Sequence, residues 1–159
     1  ANMLKRHDGY TKAVVDGIAA SIATQIVFSC DELAIPSNAY LMIHKPAGGA
    51  WGDANELRKT ADALDVIQQG LISLYMEKVH EGIAEETIIK MVDSETWLTG
   101  RQVAEIFKVN VTEPFEAVAY AGDLSHFKNV PAAIKNCVEP KKNKNEEKQR
   151  EIDIALALI

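Results

Sequence analysis

The sequence predicts an α/β fold, and three observations carry that expectation. Short apolar runs over residues 11–15, 31–35 and 39–44 are bounded by turn residues, as strands are. An Ala-rich apolar run over 19–29 separates the first from the second, and the order strand, helix, strand, strand belongs to α/β chains. The longest periodic segment of the chain, over 53–79, follows and reads as a long helix.

Composition sets the outer limits. With 159 residues, 47% of them hydrophobic and 25% charged, the chain suits one domain with a sizeable core. A net charge of −6 and the lack of a Lys/Arg stripe with interleaved aromatics in the first 135 residues argue against a nucleic-acid partner. The most apolar window, 13–30, contains Asp16 and Gln25. A central acidic residue costs about 2.5–3.5 kcal/mol on membrane insertion, so this window reads as core and no membrane partner is expected. Cys30 and Cys137 have neither metal spacing nor the density of a disulfide scaffold, which points to a reducing compartment. Residues 1–10 are polar, without the basic start and apolar stretch of a signal peptide, so a cytoplasmic location is expected.

In chain order, residues 2–7 read as the last turns of a helix, with Lys5 and Arg6 suiting the negative end of the dipole and Asp8-Gly9 making the stop. The chain is therefore expected to begin in mid-fold. Residues 11–15 end β-branched and read as a strand; 19–29 read as a helix apolar on nearly all sides. Pro36-Ser37-Asn38 closes the second strand, and Pro46 with Gly48, Gly49 and Gly52 stops the third.

In the long segment Leu57, Ala61, Leu64, Ile67, Leu71 and Leu74 follow steps of three and four. A helix of about 26 residues spans roughly 39 Å, more than covering a sheet needs, so part of it should project and pack on something else. Glu81-Gly82 breaks it; 84–92 form a short helix, Thr99 can cap another over 101–107, and 109–112 suit a last strand. Residues 115–138 read as a connector, 140–145 as a solvated linker, and 146–159 as a helix with Ile152, Leu156 and Ile159 on one stripe. A core over 1–113 and a C-terminal extension over 114–159 follow from this division.

For chemistry, Ser21 stands near the start of a helix that follows a strand. There, free backbone N–H groups and the helix dipole would stabilise an oxyanion, although composition alone favours the plainer reading of a small residue or N-cap at the start of a buried helix. The G-x-S-x-G elbow is absent, but Gly17, Ala19 and Ala20 keep the approach to Ser21 open. His44 lies 23 residues later, at a strand end before a Pro/Gly-rich loop, where a general base for a serine could stand. His7, His80 and His126 lie in polar contexts and are weaker candidates. Asp93, Glu95 and Asp16 are the carboxylates available to orient an imidazole.

The stretches Gly17-Ile18-Ala19-Ala20-Ser21-Ile22-Ala23, Met42-Ile43-His44-Lys45-Pro46, Gly48-Gly49 with Gly52, and Glu95-Thr96-Trp97-Leu98-Thr99 resemble, in order, motifs of the Clp protease proteolytic subunit family. The likeness is closest to its phage and prophage branch, the head maturation proteases, and covers about residues 2–111.

The resemblance implies a crotonase-like spiral of ββα units in which the long helix is a projecting handle where two rings meet. It implies Ser21 as nucleophile, His44 as general base and the Ile22 backbone N–H as an oxyanion donor. Glu95 falls at the acid position, with Asp93 as the alternative, and Pro46, Gly48 and Gly49 lie along the substrate cleft. It also implies a serine endopeptidase working through an acyl-enzyme on polypeptides such as phage capsid or scaffold proteins, in a homo-oligomeric ring or ring pair, with no metal or organic cofactor. Family members carry about another half-domain before this point, including a Gly-rich loop with a second oxyanion donor, so the domain is expected to be N-terminally incomplete. Gly100 replaces the small Ala usual in the family, a change expected to be minor. An acyl-CoA enzyme of the crotonase type, or a non-catalytic shell component, would keep the same fold.

Overall fold

A computed structural model of the chain describes residues 1–114 and 124–138. After a single helical turn, α1 (Asn2–Lys5), the chain makes the same excursion twice. In the first, β1 (Lys12–Val14) and β2 (Ile18–Ala20) lead into α2 (Ile22–Phe28); in the second, β3 (Glu32–Pro36) and β4 (Tyr40–Ile43) lead into α3 (Ala54–Met76). The first strand of each unit joins one sheet and the second strand joins another. Thus β3 lies parallel to β1, with Leu33 opposite Ala13, and β4 lies parallel to β2, with Leu41 opposite Ala19. A ββα unit repeated so that each strand lands beside its predecessor is a spiral, and the expected α/β architecture is the one observed.

The chain then continues through α4 (Glu85–Asp93), β5 (Thr96–Thr99), α5 (Gly100–Ile106) and β6 (Asn110–Thr112), and α6 (Ala132–Val138) is the last described element. β5 adds antiparallel to β4, making one sheet of order β2-β4-β5; β6 adds parallel to β3, making the other of order β1-β3-β6.

The central strands β3 and β4 are covered on both faces, Leu33 to Pro36 and Leu41 to Ile43 all being buried, which is why they read as unbroken apolar runs rather than as alternation. Phe28, at the end of α2, packs edge-on against Tyr75 of α3 at 5.5 Å between ring centres and against Phe107 at 4.8 Å. This aromatic cluster ties the short helix, the long helix and the end of α5 to the sheets.

The 23 residues of α3 span about 35 Å. Asp53 caps the helix through a reciprocal box: its carboxylate accepts from Asn55 N and Glu56 N, and Glu56 accepts from Asp53 N. Only Leu71, Ile72, Leu74 and Tyr75 are buried, all in the last turns. The earlier turns project, with Val66 67% and Ile67 50% exposed.

Three expectations need correction. The helix foreseen over 19–29 starts at Ile22, because Ile18–Ala20 is strand β2, paired to β4. Tertiary pairing overrides the helix propensity of its two alanines. The connector foreseen over 115–138 contains α6, which follows Pro131 and buries Ile134, while Val130 is buried just ahead of it. Gly100 is also no minor change, since a Cβ there would stand 2.1 Å from the Pro36 carbonyl oxygen. The helix foreseen over 146–159 lies outside the described residues. Among those described, no helix is long and apolar enough to cross a membrane.

Candidate active site

Strand register assembles the site. Ala20 ends β2 opposite Met42, and the Ser21 amide carries the parallel ladder one step further by donating to Met42 O at 3.0 Å. Ile43 ends β4 opposite Thr96, the first residue of β5. Ser21, His44 and Glu95 therefore each stand one residue beyond the same edge of the β2-β4-β5 sheet, on three adjacent strands. Loops and helix starts at such an edge are the part of an α/β layer free to serve a ligand.

Ser21 occupies the N-cap position of α2 with φ 56° and ψ −121°, and its side chain makes no capping hydrogen bond. Its Oγ lies 2.8 Å from His44 Nε2. For the serine to donate there, the imidazole must carry its own proton on Nδ1, the tautomer that a carboxylate on that side favours. Partial burial holds the His44 pKa below its ordinary value, and the negative charge of Glu95 opposes that shift. Ile22, the first residue of α2, has its amide in the first helical turn, where no earlier carbonyl can accept it.

Glu95 sits just past the end of α4 with φ 51°, in a conformation that helices usually reserve for glycine. Ser21 and Glu95 are the two non-glycine residues with positive φ among those described. Such backbone costs about 1–3 kcal/mol and persists where surrounding structure over-determines it, often at functional sites. The Glu95 carboxylate is not hydrogen-bonded to His44. Its Oε1 accepts from the Lys128 and Asn129 amides, both at 2.7 Å, and from Trp97 Nε1 at 3.4 Å. Asp93, the other candidate acid, pairs with Lys45 Nζ at 3.0 Å. Asp16 is exposed, and His80 is bound to the Ala104 carbonyl on another part of the surface.

Beside the Ser21–His44 pair opens a cavity of about 240 Å³. Ile22, Pro46, Ala47, Ile67, Leu71 and Tyr75 make its wall predominantly apolar, with Gln25 as a polar contributor. Pro46 lines this cavity, whereas Gly48 and Gly49 are exposed and do not. Among the described residues, no group of three or more His, Cys, Asp or Glu side chains is arranged to hold a metal ion.

Two supports were not foreseen from sequence. The Thr24 hydroxyl donates to the Ser21 carbonyl at 2.6 Å and must then accept from Tyr75 OH, also at 2.6 Å, because it has a single proton to give. This chain, buried at Thr24 and Tyr75, fixes the backbone of the strained serine from α3. The second support is Phe127, whose ring stands edge-on to His44 at 5.6 Å and to Trp97 at 5.9 Å. A Thr three residues after Ser is the only local hint of the first; the second has none.

Fold and site together define an α/β domain of ββα units that presents a serine–histidine pair at the edge of its second sheet, beside an apolar cavity. The chain belongs to the Clp protease family, whose pattern matches residues 1–107. It is 30% identical over 89 residues to the ATP-dependent Clp protease proteolytic subunit of Nephroselmis olivacea, an overlap of 54% of this chain and 41% of that one. It is 29% identical over 94 residues to the ATP-dependent Clp protease proteolytic subunit 2 of Thermobifida fusca (strain YX), covering 56% and 44% of the two. The chain therefore spans less than half the length of these curated relatives.

Proposed function

We propose that this chain carries the catalytic serine and histidine of an endopeptidase that cleaves polypeptides through an acyl-enzyme. The observation that carries the reading is the 2.8 Å contact between Ser21 Oγ and His44 Nε2, made by a serine whose strained backbone serves no helix cap. In the first step the Ser21 oxygen bonds to the scissile carbonyl carbon as its proton passes to His44 Nε2. His44 then gives that proton to the leaving amine as the C–N bond breaks. Water, deprotonated by the same nitrogen, later adds to the acyl carbon, and His44 gives that proton to the Ser21 oxygen as the ester bond breaks and the acid leaves.

The Ile22 amide is the oxyanion donor this chain supplies, and the α2 dipole adds to it. Glu95, level with His44 across the β4-β5 ladder, is the acid that favours the Nδ1–H tautomer; Asp93 is engaged by Lys45. The apolar cavity suits a hydrophobic substrate side chain, with Pro46 as part of its wall. Gly48 and Gly49, exposed beyond it, are free to line an extended peptide. The exposed apolar residues of α3 favour self-association in a ring or ring pair. The likeness of the Ser21 and His44 motifs to head maturation proteases makes phage capsid or scaffold proteins the first substrates to try.

Fluorogenic peptides with an apolar residue before the scissile bond test this reading on the full chain. Hydrolysis should exceed that of peptides with a charged residue there, and Ser21→Ala should lower kcat by about 10⁴-fold or more. A folded, assembled chain that cleaves no peptide and takes up no fluorophosphonate would mark a shell component. Turnover of an enoyl-CoA without fluorophosphonate uptake would mark a crotonase-type enzyme.

A further inference from the structure

We propose that the segment around Phe127, Lys128 and Asn129 is a positioning clamp that sets the His44 ring and the Glu95 carboxylate relative to Ser21. The inference rests on the serine-peptidase reading above and adds to it residues that lie beyond the family-matched part, 1–107.

The polar contacts of this segment converge on one place. The Lys128 and Asn129 amides both donate to Glu95 Oε1 at 2.7 Å, while Asn129 Nδ2 donates to Ser94 O at 2.7 Å and to Glu95 O at 3.2 Å. Side chain and backbone of Glu95 are thus held from the same side, and hydrogen bonds to a carboxylate are about twice as strong as neutral ones. That is the over-determination which a glutamate at φ 51° requires. The bonds to the carboxylate itself, from the Lys128 and Asn129 amides and Trp97 Nε1, all end on Oε1, leaving Oε2 available to an imidazole.

Phe127 completes the clamp with its ring edge-on to both His44 and Trp97. A ring beside the imidazole restricts its rotation and shields it from water. Val130 and Ile134, both buried, anchor the segment to the core. The segment does not plug the site: among the described residues the cavity beside Ser21 is lined by ones between 21 and 75, and the Ser21–His44 contact is intact with the clamp seated. Of the charged groups on these elements, Glu95 acts on the imidazole through its charge, Lys45, next to His44 in the chain, is paired with Asp93, and Lys128 holds Glu95 through its backbone amide; the Ser21 hydroxyl that meets the ring is uncharged.

The test uses the full chain and two readouts, NMR titration of the His44 imidazole and the second-order rate of fluorophosphonate uptake at Ser21. Phe127→Ala removes the shielding ring, so the His44 pKa should rise toward its ordinary value. Asn129→Ala frees Glu95 to leave the ring, so the His44 pKa should fall further. Both should slow uptake, by roughly tenfold if the geometry loosens by about an ångström or less, and Phe127→Tyr should restore it. Opposite titration shifts with a common loss of rate are not what general destabilisation produces. If Phe127→Ala does not fold, Phe127→Leu replaces it with the same expected directions. Unchanged titration in both variants overturns the clamp, and so does faster uptake in either, which would make the segment a restraint. If folded wild-type chain takes up no fluorophosphonate, the peptidase reading fails, while the titrations still judge the clamp.

Discussion

Helices α2 and α3 occupy the same place in successive ββα units, yet they begin in opposite ways. Asp53 starts α3 with extended backbone and a complete capping box. Ser21 starts α2 with φ 56° and turns its hydroxyl from the helix to His44. Serine is among the best N-caps, worth about 1 kcal/mol when it caps, and positive φ costs about 1–3 kcal/mol more. One helix start serves stability; the other gives up stability for a hydroxyl in a fixed direction, held by the Tyr75–Thr24–Ser21 chain.

The sharpest way to break that contrast is to exchange what each position does. Ser21→Gly should lose peptide hydrolysis by about 10⁴-fold or more and yet unfold at higher denaturant, gaining about 1 kcal/mol because glycine accepts the conformation. A loss of stability in that variant would show that the serine start is not strained. The start of α5 is a third case, fixed by close approach: Gly100→Ala brings a Cβ against Pro36 O and should cost about 3 kcal/mol in urea unfolding.

Thr24→Val should cost about 1–3 kcal/mol by leaving the buried Tyr75 hydroxyl without its acceptor, and it should slow fluorophosphonate uptake as well. Asp53→Ala should cost about 1 kcal/mol and leave uptake unchanged, since α3 begins far along the chain from its contact with Thr24.

The smallest effect is a shift in pH profile. His44 must be neutral to accept a proton, and burial lowers its pKa, so uptake should fall only as pH drops below the ordinary histidine value of about 6.5. Glu95→Gln removes the charge that opposes this shift and should move the acid limb lower still. Because the folded-state pKa is depressed, His44 contributes stability above about pH 6.5 that is lost as pH falls from there through the folded value.

What could be read from the sequence was local. The Thr99 cap, the periodicity of α3 and the apolar runs of β3 and β4 are each encoded within a few residues of where they act. Ile18–Ala20 was not legible as a strand, because three residues rich in alanine become β2 only through a partner more than twenty residues away. Ser21 and His44 could be named from their flanking motifs, but their meeting depends on the β2-β4 register. The resemblance alone sets Glu95 before Asp93 as the acid; the β4-β5 register adds that Glu95 stands level with His44. Phe127 and Asn129 carried no signal, since an aromatic and an amide in a polar stretch acquire their role only when the chain returns to the sheet edge.

The central claim is that Ser21, activated by His44, is the nucleophile. It is tested most directly by treating the folded full chain with a fluorophosphonate and locating the adduct by mass spectrometry in the tryptic peptide 13–58, which also contains Ser29 and Ser37. The account expects the adduct on Ser21 alone, formed at least a hundredfold more slowly in His44→Ala. An adduct shared with Ser29 or Ser37, or one on Ser21 that forms as fast without the imidazole, would contradict it.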